Sequence, residues 1–197
     1  MNQIELYFLE LGWSWTFAKI AYYLFFIFIG IGFSFFFHIL FKPRNWMRKL
    51  TLILFSTISF LIGFILQPIY EGDFSNDYEI VKSTPSDIKP KQLTLIAIPG
   101  CPYCYEAIDR LLLLKKRNEF LSIHFVVCSD DSTQLQWYQE KIKDAFDVKL
   151  ATDPVKMQKL AKGRFPTFVY QDQQGITKRW SNDQFGVVAI DYIEKEN

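Results

Sequence analysis

The chain has 197 residues, half of them hydrophobic, and 20 of them are phenylalanine. This apolar content exceeds what one soluble domain of that size buries, and most of the phenylalanines precede residue 70. The net charge of +1 gives no electrostatic reason to expect a nucleic-acid partner. Residues 88–197 have an ordinary composition and are numerous enough to bury a core of their own.

Two uncharged runs occupy the first third of the chain, at residues 20–40 and 50–66. Each is long enough to cross a bilayer core of ~30 Å, the second only just. We therefore predict a two-helix transmembrane hairpin over residues 1–70. A cleaved signal peptide is the less favoured alternative, because the first residues form no positively charged n-region and the first apolar run is too long. A buried hairpin in a soluble protein conflicts with the lack of a polar face on either run.

The orientation of this hairpin follows from the charges beside it. Acidic residues follow the second run, whereas the loop at 41–49 is basic. The positive-inside rule makes the loop cytoplasmic and places both chain ends on the other side of the membrane. The basic residues of the loop are Lys42, Arg44, Arg48 and Lys49.

Small residues recur at four-residue spacing in both runs, as Gly30 with Ser34 and Ser59 with Gly63. Such spacing would let the two helices pack closely in the bilayer. Neither run contains cysteine or a formally charged side chain. The hairpin is therefore predicted to anchor the chain and not to carry electrons or protons.

Residues 71–91 are polar, contain Pro85 and Pro90, and show no periodicity. We predict a linker there, which lets a C-terminal domain of residues 92–197 stand off the membrane. Hydrophobic patterning in that domain predicts the order β-α-β-α-α-β-β-α. The predicted strands cover residues 93–98, 122–128, 167–170 and 176–180, and the predicted helices cover 101–117, 133–146, 153–162 and 182–194.

Two cysteines, Cys101 and Cys104, lie one helical turn apart where the first predicted strand of this domain feeds a helix. A helix N-terminus offers unpaired N–H groups and a positive dipole end, and both favour a thiolate. We therefore expect a lowered pKa at Cys101, which makes it the attacking sulfur, while Cys104 resolves the mixed disulfide. Pro102 fits the first helical turn, where its missing N–H costs nothing.

Three features in this order resemble the thioredoxin superfamily over about residues 88–195. They are the Cys-Pro-Tyr-Cys of residues 101–104, the Phe-Pro-Thr of residues 165–167 that opens a strand, and a hairpin turning at Gly175 before a terminal helix. The resemblance implies an α/β thioredoxin-like domain, a mixed central sheet with flanking helices, behind the hairpin. The stretch 129–175 is similar to the TlpA/ResA-like, membrane-anchored branch. The Pro-Tyr pair resembles glutaredoxins, and Cys104-Tyr105 resembles the DsbA family.

Two positions depart from the superfamily pattern. Gly100 stands where thioredoxin has tryptophan before the first cysteine, and Leu95 stands near the buried aspartate of its first core strand. The usual internal proton acceptor is therefore missing, and the redox direction does not carry over.

The resemblance also implies a substrate-binding role for Pro102, Tyr103, Phe165 and Pro166. A cis Pro166 would present the backbone of Phe165 to an extended substrate segment, which pairs with it as an added strand. The alternative is an ordinary trans proline that starts an edge strand.

The remaining candidates each have two interpretations. Arg164 either favours the thiolate or is a solvated surface residue. Cys128, which ends the second predicted strand of the domain, is either a third redox thiol or a buried free cysteine. A zinc site at Cys101 and Cys104 lacks the other ligands of a tetrahedral centre. Trp180 is expected in the core, and His124 is expected to be structural.

The expected function is a membrane-tethered thiol–disulfide oxidoreductase without a cofactor, in a bacterial inner membrane with its domain in the periplasm or outside the cell. Its expected partners are protein disulfides or dithiols, the bilayer, and a separate membrane electron donor (DsbD/CcdA-like) or acceptor (DsbB-like). The TlpA-like resemblance favours a reductant. The alternatives are an oxidase or isomerase, and a non-enzymatic Cu(I) chaperone that uses the same thiolates.

Overall fold

The structure is a computed structural model that describes residues 3–42, 44–70, 72–82 and 85–196. The chain forms two compact units, residues 1–70 and 71–197. The described part of the first unit is helical, with α1 (Gln3–Glu10), α2 (Trp15–Phe41) and α3 (Asn45–Leu66). Helices α2 and α3 are long and apolar enough to cross a membrane. Most of their apolar side chains have no protein covering them.

Both long helices begin before the apolar runs that predicted them. Ser14 sets the start of α2, because its hydroxyl accepts the backbone N–H of Phe17 at 3.2 Å. A side-chain cap of this kind fixes a helix end independently of hydropathy. Helix α3 likewise starts at Asn45, so part of the basic loop is helical.

Helices α2 and α3 pack through small residues, as the sequence predicts. A Cβ atom added at Gly30 would lie 2.6 Å from the carbonyl oxygen of Phe55, so only glycine permits this approach. A Cβ atom at Gly63 would lie 2.9 Å from the ring of Phe26. Ser34 and Ser59 are buried as well. The small residues noted in the sequence therefore do lie where the two helices approach each other.

A polar cluster ties α1 to the two long helices. Lys19 lies within α2, and its ammonium nitrogen is 4.0 Å from the carboxylate of Glu5, with both side chains nearly buried. The side-chain amide of Gln67 donates to the same carboxylate at 2.7 Å, and the hydroxyl of Tyr23 donates to the Gln67 carbonyl at 2.7 Å. The longer observed helix thus includes a charge that the predicted run excluded, and that charge is paired.

The described residues of the second unit form one mixed six-stranded sheet with flanking helices. Its strands are β1 (Glu79–Val81), β2 (Gln92–Ala97), β3 (Ser122–Val127), β4 (Asp147–Leu150), β5 (Thr167–Gln171) and β6 (Thr177–Ser181), in the spatial order β1-β6-β5-β2-β3-β4. Strands β2, β3 and β4 are parallel, while β5 is antiparallel to β2 and to β6. Strand β2 is buried along its whole length, as expected for a central strand covered on both faces.

The helices of this unit are α4 (Pro102–Arg117), a 3₁₀ turn (Ser132–Leu135), α5 (Gln136–Ile142), α6 (Pro154–Ala161) and α7 (Val187–Glu196). Helix α4 links the parallel strands β2 and β3, which is the predicted β-α-β unit. Its buried face consists of Cys104, Ala107, Ile108, Leu111 and Leu114.

Two predicted helices are shorter than expected. The helix predicted over 133–146 is the 3₁₀ turn followed by α5, and the chain turns at Lys143, which has a φ of 50°. Residues 147–150 then form β4, whose backbone partners come from β3. The last helix begins at Val187 and not at residue 182. Before it, the backbone N–H groups of Gln184 and Phe185 both bond to the carbonyl of Ser181.

The predicted linker at 71–91 is folded wherever the structure describes it. Strand β1 pairs with β6, and Asp73, Asp87 and Ile88 are buried. Short, mostly polar segments of this kind show no periodicity because their partners lie far away in sequence. The described part of this segment therefore packs within the second unit. The boundaries of the anchor and the domain stay predictions.

Replacing Gly30 with valine should separate α2 from α3, because the added methyl groups collide with the Phe55 backbone. Gly32 is the matched control, since a Cβ atom there meets nothing within 4 Å. Hydrogen exchange of the α3 amides near Phe55, measured on the full chain in detergent, should speed up about fivefold or more in Gly30→Val. Equal exchange in Gly30→Val and Gly32→Val would contradict the packing.

Candidate active site

The two cysteines of the predicted site form a disulfide in this structure, with their Cα atoms 5.2 Å apart. That spacing lies within the ordinary range for a disulfide. Cys101 is 7% exposed and Cys104 is fully buried. An external thiol or disulfide therefore reaches Cys101 first.

Cys101 is the N-cap residue of α4. Its sulfur accepts the backbone N–H of Cys104 at 3.1 Å, and Pro102 occupies the first turn. Gly100, directly before it, has a φ of 66°, a backbone conformation that glycine adopts without strain. When the disulfide is open, the same N–H and the helix dipole stabilise negative charge on the Cys101 sulfur.

Phe165 and Pro166 lie at the same end of the sheet as the cysteines. Thr167 is the backbone partner of Ile96, near the end of β2, and Pro166 directly precedes it. The peptide bond between Phe165 and Pro166 is cis. Pro166 is buried, while Phe165 is half-buried and packs against the core cluster that contains Cys128.

Tyr103 is 61% exposed beside the disulfide. The ring of Tyr105 stacks on Trp137, with centroids 4.6 Å apart, and the ammonium group of Lys141 lies 4.1 Å from the Tyr105 ring centroid. The sequence analysis did not single out Trp137 or Lys141, because their helix is separated from the cysteines by a strand and a turn. Aromatic surface therefore flanks the site on the side of α5.

The other candidates have structural surroundings. Arg164 is exposed and lies 3.9 Å from the carboxylate of Asp183, which favours the surface interpretation. Trp180 is buried in the core, as predicted. His124 is half-buried, its Nδ1 is 3.0 Å from the Asp147 carboxylate, and burial lowers the pKa of its imidazole. At neutral pH His124 is therefore mostly uncharged.

Cys128 follows β3 at the same sheet edge as Cys101, and its N–H bonds to the Ala97 carbonyl at 2.8 Å. Burial, and to a smaller extent the Asp87 carboxylate, raises the pKa of Cys128 to about 11. Cys128 is therefore protonated at neutral pH, which favours the interpretation as a buried free cysteine.

Asp87 is a buried carboxylate that the sequence analysis missed because it lies in the predicted linker. It accepts the hydroxyl of Thr152 at 2.6 Å and the Thr152 N–H at 3.0 Å. The ammonium nitrogen of Lys149 is 3.6 Å from the Asp87 carboxylate.

Leu95, near the position of the buried aspartate of thioredoxin, is fully buried. Within the described residues, no cluster of three or more potential metal ligands forms.

The three features that carried the resemblance all occur in the structure. A Cys-x-x-Cys starts α4 after β2, a proline precedes β5, and the β5–β6 hairpin leads to a terminal helix. The second unit therefore has a thioredoxin-like fold with a Cys101–Cys104 disulfide, as the sequence predicts.

No family model matches the chain, and no curated protein matches it in sequence. Among solved structures, it is similar to a secreted Mycobacterium tuberculosis disulfide oxidoreductase homologous to E. coli DsbE, with 17% identity, coverage of 50% of this chain and 80% of that chain, and a TM-score of 0.40. It is also similar to M. tuberculosis DsbF, with 16% identity, coverage of 61% of this chain and 96% of that chain, and a TM-score of 0.41. A thioredoxin-like protein from Bacteroides caccae has 12% identity, with coverage of 73% of this chain and 62% of that chain, and a TM-score of 0.35.

After reduction, Cys128 should react with iodoacetamide far more slowly than Cys101. With a pKa of about 11, roughly one Cys128 thiol in a thousand is ionised at pH 8, whereas the Cys101 sulfur accepts a backbone N–H at a helix N-terminus. Its alkylation rate should therefore rise steeply as the pH approaches 11. Peptide mapping by mass spectrometry measures both rates in one sample. Equal rates at pH 8 would show that Cys128 is an accessible, reactive thiol.

Proposed function

We propose that this chain is a membrane-tethered thiol–disulfide oxidoreductase that exchanges disulfides with proteins outside the cytoplasm. One observation carries the proposal. Cys101 caps α4, receives the Cys104 N–H on its sulfur, and is bonded to a partner one helical turn away. This is an attacking thiolate and a resolving thiol held in reach of each other.

In the reducing direction, the Cys101 thiolate attacks one sulfur of a substrate disulfide. A mixed disulfide forms, and the other substrate sulfur leaves as a thiolate. Cys104 then loses its proton and attacks the Cys101 sulfur, which releases the second substrate thiolate and closes the Cys101–Cys104 disulfide. The substrate gains two electrons, and the enzyme loses two.

Substrate contact is assigned to the edge that holds the cysteines. Tyr103 is exposed there, and Pro102 lies on the same exposed first turn of α4. Phe165 and Pro166 directly precede the strand β5, which pairs with β2. An extended polypeptide that pairs with the Phe165 backbone would bring its own disulfide to Cys101. Apocytochrome c is one substrate class in the reducing case.

The two apolar helices support tethering, and the basic residues beside them support the orientation. Lys42 caps the end of α2, and Arg48 and Lys49 lie in the first turns of α3. With this basic end in the cytoplasm, the thioredoxin-like unit faces the periplasm of a bacterial inner membrane or the cell exterior. Disulfides persist in those compartments.

The electrons have to come from a second protein. All three cysteines, Cys101, Cys104 and Cys128, lie in the second unit, so the helices hold no thiol to relay electrons. A reductase needs a membrane donor of the DsbD/CcdA type, and an oxidase needs an acceptor of the DsbB type. We favour the reducing direction.

The full chain in detergent, supplied with dithiothreitol, should reduce insulin. Cys101→Ser should lower the rate to that of dithiothreitol alone, because the attacking sulfur is gone. Cys104→Ser that is reduced, freed of dithiothreitol and then mixed with insulin should accumulate a mixed disulfide, which non-reducing gels detect, because the resolving thiol is gone. Cys128→Ala is the matched control, and it should retain most of the rate. Insulin reduction that survives Cys101→Ser would refute the proposal.

Equilibration of the Cys101–Cys104 pair with glutathione decides the direction. A reduction potential near or below about −250 mV supports a reductant, and one near −120 mV supports an oxidase or isomerase. Titration of the reduced chain with Cu(I) distinguishes the enzyme from the remaining alternative, a Cu(I) chaperone that uses the same two thiolates. Tight binding of one copper without insulin reduction would replace the enzyme by a metallochaperone.

The proposed topology predicts which engineered cysteines react from outside an intact cell. In a background without native cysteines, Phe120→Cys, at a position 94% exposed in the thioredoxin-like unit, should react with an impermeant maleimide. Lys49→Cys should react only after the membrane is permeabilised, because the basic end stays in the cytoplasm. The reverse pattern would put the active site in a reducing compartment and overturn the localisation.

A further inference from the structure

The hydroxyl of Tyr138 lies beside the turn that leads from β2 into Cys101. Tyr138 belongs to α5, is fully buried, and packs its ring against Phe125 of β3 with centroids 4.7 Å apart. A hydroxyl in such a position needs hydrogen-bond partners, because leaving it unpaired costs free energy.

Its hydrogen-bond partner is a backbone group at the start of the Pro99-Gly100 turn. The hydroxyl donates to the Ile98 carbonyl at 2.6 Å, three residues before Cys101. Burial raises the pKa of Tyr138, and the neighbouring Cys101 backbone offsets only part of that rise, so the phenol stays protonated and keeps donating at physiological pH. The Tyr138 side chain therefore forms a bridge between α5 and the turn that joins β2 to α4.

Tyr138 is itself held against α4 by its neighbours. Lys141, one turn further along α5, donates to the Tyr105 carbonyl at 2.9 Å and to the Asp109 carboxylate at 2.8 Å. Trp137 stacks on the Tyr105 ring. Because Tyr105 and Asp109 belong to the first turns of α4, α5 cannot move away from Cys101 without breaking these contacts.

We propose that Tyr138 is a positioning residue for disulfide exchange, which fixes the Cys101 backbone so that its sulfur stays aligned with the Cys104 N–H when the disulfide is open. The inference rests on the proposed function, since it concerns the same cysteines. The disulfide itself holds Cys101 in place only in the oxidised protein. In the reduced protein, the covalent restraint is gone, and the Tyr138 bridge takes over its role.

The bridge therefore affects the reduced state more than the oxidised state. Without it, the Cys101 thiolate meets the Cys104 N–H less often and is less stabilised. Loss of one such hydrogen-bonded restraint should slow alkylation of Cys101 at neutral pH about threefold to tenfold and move its pH midpoint upward. The equilibrium with glutathione should shift towards the protein disulfide by a similar factor.

The test compares Tyr138→Phe with Tyr170→Phe in the reduced full chain in detergent. Tyr170 is the matched control. It is also fully buried, its hydroxyl has no hydrogen-bond partner among the described residues, and it pairs with Leu93 towards the opposite end of β2. Iodoacetamide rates at Cys101 from pH 5 to pH 9, together with the glutathione equilibrium, are the measurements.

We expect the shift in Tyr138→Phe and a profile close to the unsubstituted chain in Tyr170→Phe. An unchanged pH midpoint in a folded Tyr138→Phe chain, or an equal shift in Tyr170→Phe, would overturn the inference. The Tyr138 hydroxyl proton of the unsubstituted reduced chain, observed by NMR, tests the bridge even where Tyr138→Phe fails to fold, and rapid exchange of that proton with water would exclude it. Failure of the proposed function looks different, because Cys101 of the unsubstituted chain would then react no faster than a peptide thiol.

Discussion

The start of α4 is the feature on which the candidate active site depends. Strand β2 is buried on both faces and held between β3 and β5, so its carboxyl end has one position in the sheet. The chain turns there through Gly100 and enters the helix at Cys101. That fixed helix end places the Cys104 N–H on the Cys101 sulfur, and it places the second cysteine one helical turn further on.

The second unit places its cysteines in two different electrostatic surroundings. Cys101 lies at a helix N-terminus and its sulfur accepts a backbone N–H, whereas Cys128 is buried beside the Asp87 carboxylate, which helps to raise its pKa. The same sheet edge thus carries one thiol suited to form a thiolate and another that remains protonated. Asp87 is itself satisfied by Thr152, so it stabilises the end of β4. Asp87 lies in residues 71–91, whose sequence shows no hydrophobic periodicity.

The first unit combines close packing with polar closure at its ends. Gly30 and Gly63 allow α2 and α3 to approach, and the large apolar side chains face outward. The Glu5, Lys19 and Gln67 cluster joins α1 to the hairpin. At its basic end, the His38 ring nitrogen lies 2.6 Å from the Thr51 hydroxyl. None of these groups can exchange disulfides.

The sequence alone predicted the features whose signal is local. Long apolar runs, a Cys-x-x-Cys between a strand and a helix, and the Phe-Pro-Thr before a strand all lie within short windows, and they led to the hairpin, the site and the fold. The strands β1 and β4, the burial of Asp87 and the hydrogen bond of Tyr138 to the turn before Cys101 were not predictable in this way. Each is created by a partner far along the chain, Arg179 for Glu79 and Ile98 for Tyr138 among them. Short polar strands and single buried hydroxyls carry no periodicity, so only the assembled tertiary structure decided where they lie.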